Sequence, residues 1–227
     1  NIGVQSFNDA HLSFLGRIHT ARQAAEALQA AQKAGFDNIG LDLIYGLPGQ
    51  NKGAWQKDLA AAAAFFPAHI SCYMLTYEPG TPMTADRDAG GFAPLAEDRV
   101  SAMFLQASKA LCSRGYQHYE ISNFAASAAA RSRHNRKYWQ NHPYIGLGPA
   151  AHSYMEPQRF WNRADLDQYL AAIDENRLPV ARAESLSVSQ QMIEALYLGL
   201  RQSDGIDAAG FHRRFGVDFN QQFNTVI

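Results

Sequence analysis

The chain has 227 residues, a formal net charge of −1 and two cysteines, Cys72 and Cys112. Its length suits one large domain or a domain and a half. A near-neutral charge without a basic run argues against electrostatic binding to nucleic acid or to an anionic membrane. The two cysteines are too far apart for a metal-ligand spacing, and their number suits a reducing, cytoplasmic setting. No apolar run is long enough to span a bilayer, and no signal peptide is visible.

The two ends of the sequence are those expected of a fragment. The chain begins at Asn1 without a methionine and enters a predicted strand at once. It stops at Ile227, soon after what reads as the start of a helix. We therefore expect material to be missing at both ends.

Predicted strands and helices alternate along the first part of the chain. Thr20 is a suitable N-cap for a helix that runs to about Lys33, and Gly35 stands where a helix terminator is expected. The predicted order is strand 2–7, helix 20–33, a strand from 38, helix 55–66, strand 69–76, helix 94–114 and strand 116–124. This rhythm predicts parallel strands with right-handed crossovers, in a barrel or an open doubly wound sheet.

The stretch from residue 38 to 50 is the most informative one. Its strand is apolar except for one carboxylate, Asp42, and it leads into the turn sequence Gly46-Leu47-Pro48-Gly49. An ionised group in an apolar strand is costly unless it is paired or used. Parallel α/β folds place ligand sites at the carboxyl ends of their strands. Position alone leaves a structural role and a ligand-binding role for Asp42 equally open.

Alternation along the strands connects Asp42 to a second polar residue. Gln5 shares a face of the first strand with Gly3, and Asp42 shares a face of the second strand with Ile44. If both faces point into a barrel, Gln5 and Asp42 meet near its rim. Two polar groups in adjacent apolar strands predict a pocket there.

The middle of the chain carries a second conspicuous region. Residues 125–133 are small and polar and predict a loop, and the sequence HNRKYW follows at 134–139. Gly146 to Ala151 fits the pattern G-x-G-x-x-A, but Pro149 and the segment after it leave no helix to receive a pyrophosphate. His134, His142 and His152 match no zinc spacing. An axial haem ligand remains an open role for such an imidazole.

The character of the sequence changes after about Trp161. Helices are predicted over 165–175 and 189–201 and up to Phe215, with a linker at 177–183. Short helices without intervening strands predict a separate small helical domain, so we place the domains at 1–155 and 156–227. Arg213 and Arg214 carry too little charge to support DNA binding.

Six stretches together resemble one family. They are GVQSF, DLIYGLPGQ, YEPGTPM, YEISNFA, HNRKYW and YIGLGPAAHSY, in this order along nearly the whole chain. They resemble the second half of the radical SAM proteins of the coproporphyrinogen-oxidase-like group. The HNxxYW element is more similar to the HemW-type haem chaperones than to the oxygen-independent coproporphyrinogen III oxidases, HemN.

The resemblance implies a fold and a cofactor set. The fold is an α/β one, the C-terminal part of a partial TIM-like (β/α)6 radical SAM barrel followed by a small HemN-type helical domain. The cofactors are a [4Fe-4S] cluster, held by a C-x3-C-x2-C motif, and S-adenosylmethionine. That motif lies upstream of GVQSF in the family, so the cluster cysteines are expected outside this chain, which contributes no metal ligands.

The resemblance also assigns residues to S-adenosylmethionine. Gln5, Arg17, Asp42 and Thr76 fall on positions where the oxidases contact it, and His152 falls on a further one that is apolar in the oxidases. Asp42 is expected to bind the amine or the ribose hydroxyls, Arg17 the carboxylate, and Gln5 to bridge to the cofactor.

Three functions follow as hypotheses. The first is a haem chaperone that binds haem or another porphyrin and passes haem to an acceptor protein. The haem-binding candidates are His134, Tyr138, Trp139 and His152. The second is an oxygen-independent coproporphyrinogen III oxidase, acting by radical oxidative decarboxylation, whose catalytic residues the sequence does not identify. The third is an α/β barrel that uses Asp42 for an unrelated small ligand. The sequence leaves membrane contact open.

Overall fold

The computed structural model describes residues 1–223, and the chain divides into two compact units, Asn1–Arg131 and Ser132–Ile227. The domain boundary expected at residue 155 stays a prediction. Among the described residues, no helix has the length and apolar character needed to cross a membrane. Each unit is described in turn.

The first unit is a sheet covered by helices. Strands β1, β2 and β3 are parallel neighbours, and the sheet order is β1-β2-β3-β5-β4. The elements are β1 (Ile2–Gln5), α1 (Asp9–Phe14), α2 (Ala21–Lys33), β2 (Gly40–Tyr45), α3 (Lys52–Ala63), β3 (His69–Met74), α4 (Pro82–Asp88), α5 (Glu97–Cys112), β4 (Gln117–His118) and β5 (Asn123–Ala125). The predicted alternation and parallel pairing are confirmed for β1 to β3.

The prediction of a single fourth strand over residues 116–124 is wrong. Residues 116–124 do not make one strand but a hairpin, in which β5 runs antiparallel to both β3 and β4. The Glu120 carboxylate accepts a hydrogen bond from the Ser122 amide at 3.0 Å, which stabilises the reversal between the two strands. This local side-chain bond competes with continued strand structure.

Local sequence signals account for the helix ends. Thr20 and Gln23 form the reciprocal hydrogen bonds of a capping box at the start of α2, and Gly35 follows that helix with a φ of 87°. Helix α1 was not predicted, although Asn8 caps it by accepting from the Ala10 and His11 amides. It lies in the segment between the predicted strand at 2–7 and the predicted helix at 20–33.

The core lies between the sheet and its helices. On β2 the alternate residues Leu41, Leu43 and Tyr45 are buried, and they pack against side chains of α2, α3 and α5. Trp55 of α3 is fully buried, and its indole nitrogen donates to the Met103 carbonyl of α5 at 3.0 Å. One face of the sheet is thereby closed to solvent.

The second unit is a small sheet with helices. Strands β6 (His152–Met155), β7 (Gln158–Asn162) and β8 (Val180–Ser185) pair antiparallel in that order. The helices are α6 (Arg133–Trp139), α7 (Leu166–Asp174), α8 (Val188–Gly199), α9 (Ala208–Phe215) and α10 (Phe219–Gln222). Helices were correctly predicted at α7, α8 and α9. The expectation of short helices without strands after residue 156 is wrong, because β7 lies there and most of the expected linker at 177–183 forms β8.

We expect Leu41→Ala to lower the free energy of unfolding by about 2–5 kcal/mol, because it leaves a cavity in a fully buried site. Leu105→Ala on α5 is the matched control, since Leu105 is 65% exposed and should cost far less. Urea unfolding followed by circular dichroism measures both. Equal losses in the two variants would contradict the proposed position of the core.

Candidate functional site

The face of the sheet opposite the helices carries a row of small and polar residues. Strand register aligns Gly3 of β1 with Asp42 of β2, Asp42 with Ser71 of β3, and Ser71 with Asn123 of β5. Residues paired directly across strands share a face. We call Gly3, Asp42, Ser71 and Asn123 the polar row. It crosses four strands on a face where Asp42 is only half-buried.

Two oxygen atoms of the polar row have unused hydrogen-bonding capacity. The Asp42 Oδ2 atom accepts from the side-chain amide of Asn1 at 2.5 Å, whereas its buried Oδ1 atom has no partner. The buried Oδ1 atom of Asn123 also lacks a partner. Buried polar atoms in proteins are nearly always hydrogen-bonded. The row is therefore suited to a ligand that brings donors, such as an amine or hydroxyl groups.

Gln5 reaches this row from the end of β1. Its φ is 67°, unusual for a residue other than glycine, and the register shifts between Gly3 and Gln5. The Gln5 side-chain nitrogen lies 2.8 Å from where a Cβ atom on Gly3 would be. The amide therefore lies over the residue that pairs with Asp42. A side chain at position 3 would require the end of the Gln5 side chain to shift away from this place.

Arg17 and Thr76 also belong to the first unit. Arg17 follows α1, and Thr76 follows β3. Arg17 is exposed after α1, where its backbone amide donates to the Leu12 carbonyl at 2.9 Å. Thr76 is exposed two residues beyond β3, at the carboxyl end of that strand. Both side chains are exposed, and neither makes a side-chain hydrogen bond within the described residues.

The charge of Asp42 acts on its neighbours. Burial raises the pKa of the Cys72 thiol, and Asp42 raises it further. Burial lowers the pKa of His69, against an opposing effect of Asp42. Burial raises the pKa of Tyr45 to about 12, with Cys72 adding to the shift. The shifted pKa values favour the neutral forms of Cys72, His69 and Tyr45, which lie on the strands around the Asp42 carboxylate.

In the second unit, α6 carries the HNRKYW sequence. The Ser132 hydroxyl caps the helix by accepting from the Asn135 amide at 3.2 Å. His134 is exposed and meets the edge of the Tyr138 ring at 5.0 Å between centroids, and Tyr138 in turn meets Tyr144 at 4.7 Å. The histidine therefore stands at the end of an aromatic series.

Trp139, the last residue of α6, faces a different part of the unit. The Arg201 guanidinium lies over its ring at 4.3 Å from the centroid, a cation–π geometry. Trp139 also lines a cavity of about 550 Å³, together with Phe211, Arg214 and Phe215 of α9. A volume of this size is ordinary for a small-molecule site.

His152 begins β6 and is exposed, with its ring stacked on Trp161 at 5.4 Å between centroids. Gly146 lies against the same strand, where an added Cβ atom would be 2.2 Å from the His152 carbonyl oxygen. Its close approach is to the backbone of its own unit.

The structure brings together some predicted site residues and adds others. Gln5 and Asp42 lie on one face of the first unit, with Arg17 and Thr76 in the same unit, whereas His134, Tyr138, Trp139 and His152 belong to the second. The sequence analysis missed Ser71 and Asn123. Extending the strand alternation to β3 would have found Ser71, but Asn123 depends on an antiparallel hairpin that the sequence did not predict.

The described residues contain no group of three or more histidine, cysteine or acidic side chains that could hold a metal ion. Cys72 is buried and Cys112 is exposed, and both are free thiols. Two cysteines cannot supply a three-cysteine cluster motif. The residues of this chain therefore do not fit a [4Fe-4S] cluster, whereas the polar row does fit a ligand with an amine or hydroxyl donors.

Comparison with known families gives two matches. The radical SAM superfamily matches residues 1–62, and the HemN C-terminal domain matches residues 186–227. The first match contains Gln5, Arg17 and Asp42, and the second covers α8 to the end of the chain.

Several curated relatives carry the name heme chaperone HemW. Those of Lactococcus lactis and Bacillus subtilis are 34% and 31% identical to this chain over all of it, and the Synechocystis protein is 37% identical over 91% of it. The chain spans 59%, 60% and 50% of these three relatives, respectively.

A solved structure shares the fold. The Escherichia coli coproporphyrinogen III oxidase HemN, described as a radical SAM enzyme, matches with a TM-score of 0.77 at 22% identity. The match covers 98% of this chain and 54% of that protein. The predicted mixed α/β fold of the radical SAM type is confirmed.

We expect stability to fall at acidic pH in a way that depends on His69. Burial places its pKa in the folded protein below the unfolded value of about 6.5, so the unfolded chain binds the proton more readily. The stabilisation is fully present above the unfolded pKa of His69 and is lost as the pH falls through its folded pKa.

Urea unfolding at pH 7.5 and 5.5 tests this expectation. The wild type should lose more stability over the interval than His69→Gln, whose amide can still bond the Tyr119 hydroxyl that His69 contacts at 2.8 Å. An identical pH dependence in both proteins would contradict a buried, neutral His69.

Proposed function

We propose that this chain belongs to the radical SAM superfamily, among the HemW-type proteins, and that it acts as a haem chaperone that also binds S-adenosylmethionine. Haem is its cargo and an acceptor protein receives it. The observation that carries the S-adenosylmethionine part of the proposal is the polar row, where the unpartnered Asp42 oxygen and the Gln5 amide lie on one face of the sheet within the matched superfamily region.

The donors of S-adenosylmethionine suit this face. Its amine and ribose hydroxyls can donate to the free Oδ1 atom of Asp42, and a charge-assisted bond of this kind is stronger than a neutral one. The Gln5 amide can bridge to the same ligand, and Asn123 offers a second buried acceptor. The exposed Arg17 guanidinium can bind the ligand's carboxylate, with Thr76 at the end of the adjacent strand.

S-adenosylmethionine supplies radical chemistry only in combination with a [4Fe-4S] cluster. Because this chain lacks the cluster cysteines, its own residues serve to bind and orient the cofactor. Asp42 and Gln5 fix one side of the ligand, and the buried strands behind them exclude water from that side. The assignment of His152 to S-adenosylmethionine stays a proposal. His152 lies in the second unit, whereas the polar row lies in the first.

The second unit supplies candidates for haem. His134 and His152 present exposed imidazoles, each beside an aromatic ring, at Tyr138 and Trp161 respectively. An imidazole can ligate haem iron axially, and aromatic rings pack against the flat macrocycle. The Trp139 cavity adds an aromatic surface, and Arg214, which is paired with Glu156 at 3.2 Å, lies at its wall. These features favour the haem chaperone over the oxidase.

We expect Asp42→Asn to weaken S-adenosylmethionine binding by the full-length protein by about 10- to 100-fold, because it removes a charged acceptor. Asp37→Asn, an exposed position shortly before β2, is the matched control and should bind as the wild type does. Anaerobic equilibrium dialysis with labelled cofactor measures both. Wild-type affinity in Asp42→Asn would overturn the assignment of Asp42.

We expect haem titrated into the full-length protein to give a saturable Soret band. His134→Ala or His152→Ala should weaken binding or shift the band, because one of them removes an axial ligand. His212→Ala, at an exposed position on α9, serves as the control. Absence of saturable binding, or binding unchanged in both variants, would overturn the haem proposal.

Turnover separates the chaperone from the oxidase. The reconstituted full-length protein should bind haem without converting coproporphyrinogen III. Formation of the decarboxylated product under anaerobic conditions would instead favour the oxidase.

A further inference from the structure

The backbone at Gln5 is held in a strained turn. The Ser6 amide donates to the Val4 carbonyl at 2.9 Å, a bond that spans the single residue Gln5, whose φ is 67°. This is a γ-turn with a positive φ at its centre, which is rare because it is strained. Strain of this kind persists only where the surrounding structure enforces it, and it is common at binding sites.

The enforcing group is a buried carboxylate on another element. Asp58 of α3 is 2% exposed and uses both oxygens on the residues that follow Gln5. Its Oδ2 atom accepts from the Ser6 hydroxyl at 2.8 Å, and its Oδ1 atom accepts from the Phe7 amide, also at 2.8 Å. The Ser6 hydroxyl oxygen also accepts from the Asn8 amide at 3.1 Å. The chain is therefore pinned immediately after the turn.

A serine, a histidine and an aspartate meet here, but they do not form a nucleophile. The fully buried Ser6 hydroxyl donates to Asp58, and His11 lies 3.3 Å from the Ser6 oxygen and 4.0 Å from Asp58. A nucleophilic serine would donate to the histidine and face an open site. Burial raises the pKa of Asp58, while the Ser6 and Phe7 hydrogen bonds and His11 oppose that shift.

We propose that Asp58 is a positioning residue for S-adenosylmethionine. By holding Ser6 and Phe7 it fixes the γ-turn at Gln5, and the turn keeps the Gln5 amide folded back over Gly3, beside Asp42. This inference rests on the proposed cofactor binding of the polar row. It explains why a buried carboxylate, which is costly in a helix that packs on the core, stands at position 58.

The test is a double-mutant cycle in the full-length protein with its cluster reconstituted. Anaerobic equilibrium dialysis gives the dissociation constant of S-adenosylmethionine for wild type, Gln5→Ala, Asp58→Ala and the double variant. We expect each single variant to weaken binding by about tenfold and the double variant to be no weaker than Gln5→Ala, because Asp58 acts through Gln5.

Two further variants separate positioning from stability. Asp58→Leu removes both hydrogen bonds yet fills the space of the carboxylate, so it should weaken binding as Asp58→Ala does, and it replaces Asp58→Ala in the cycle if that variant does not fold. Leu59→Ala, at the adjacent buried position of α3, should lower the unfolding midpoint yet leave the dissociation constant of the folded protein unchanged.

The outcomes are distinct. Additive effects of Asp58 and Gln5, or weakened binding in Leu59→Ala equal to that in Asp58→Ala, would overturn the positioning role while leaving the cofactor proposal intact. No binding by the wild type, or wild-type affinity in Gln5→Ala and Asp42→Asn alike, would overturn the cofactor proposal and this inference with it.

Discussion

The alternation of side chains along β2 is the constraint on which the first unit depends. Leu41, Leu43 and Tyr45 point to the helices and form the core, so the residues between them must point the other way. Asp42 is therefore fixed on the open face by the same packing that stabilises the sheet. A shift of one residue would bury the carboxylate and expose the core, so the register and the site are specified together.

Two carboxylates on successive elements differ in how many of their oxygens are hydrogen-bonded. Asp58 has both oxygens occupied by the chain that follows β1, whereas Asp42 has one oxygen bonded to Asn1 and one without a partner. A fully satisfied buried carboxylate organises its own chain, whereas a partly satisfied one has capacity for a ligand. This difference separates a positioning role for Asp58 from a binding role for Asp42.

The candidate histidines of the second unit differ from Asp42 in the first, because they are exposed. His134 and His152 gain orientation from the rings of Tyr138 and Trp161 rather than from burial. Gly146 and Ser153 bind the intervening segment to β6, through a hydrogen bond of 3.0 Å from the Gly146 amide to the Ser153 hydroxyl. The unit thus presents both imidazoles on a hydrogen-bonded support.

The sequence by itself determined the parallel alternation of β1 to β3 and the ends of α2, because these features follow from local periodicity and capping. The position of Gln5 depends on the γ-turn and on the register shift after Gly3, which alternation does not predict. The sequence motifs also indicated the resemblance to the radical SAM proteins. Tertiary structure alone decided the rest. The β4–β5 hairpin brings Asn123 into the polar row, and β8 forms from a segment that lacks a local strand pattern. Asp58 meets Ser6 only after folding, because a contact between residues so distant in sequence leaves no periodic signal.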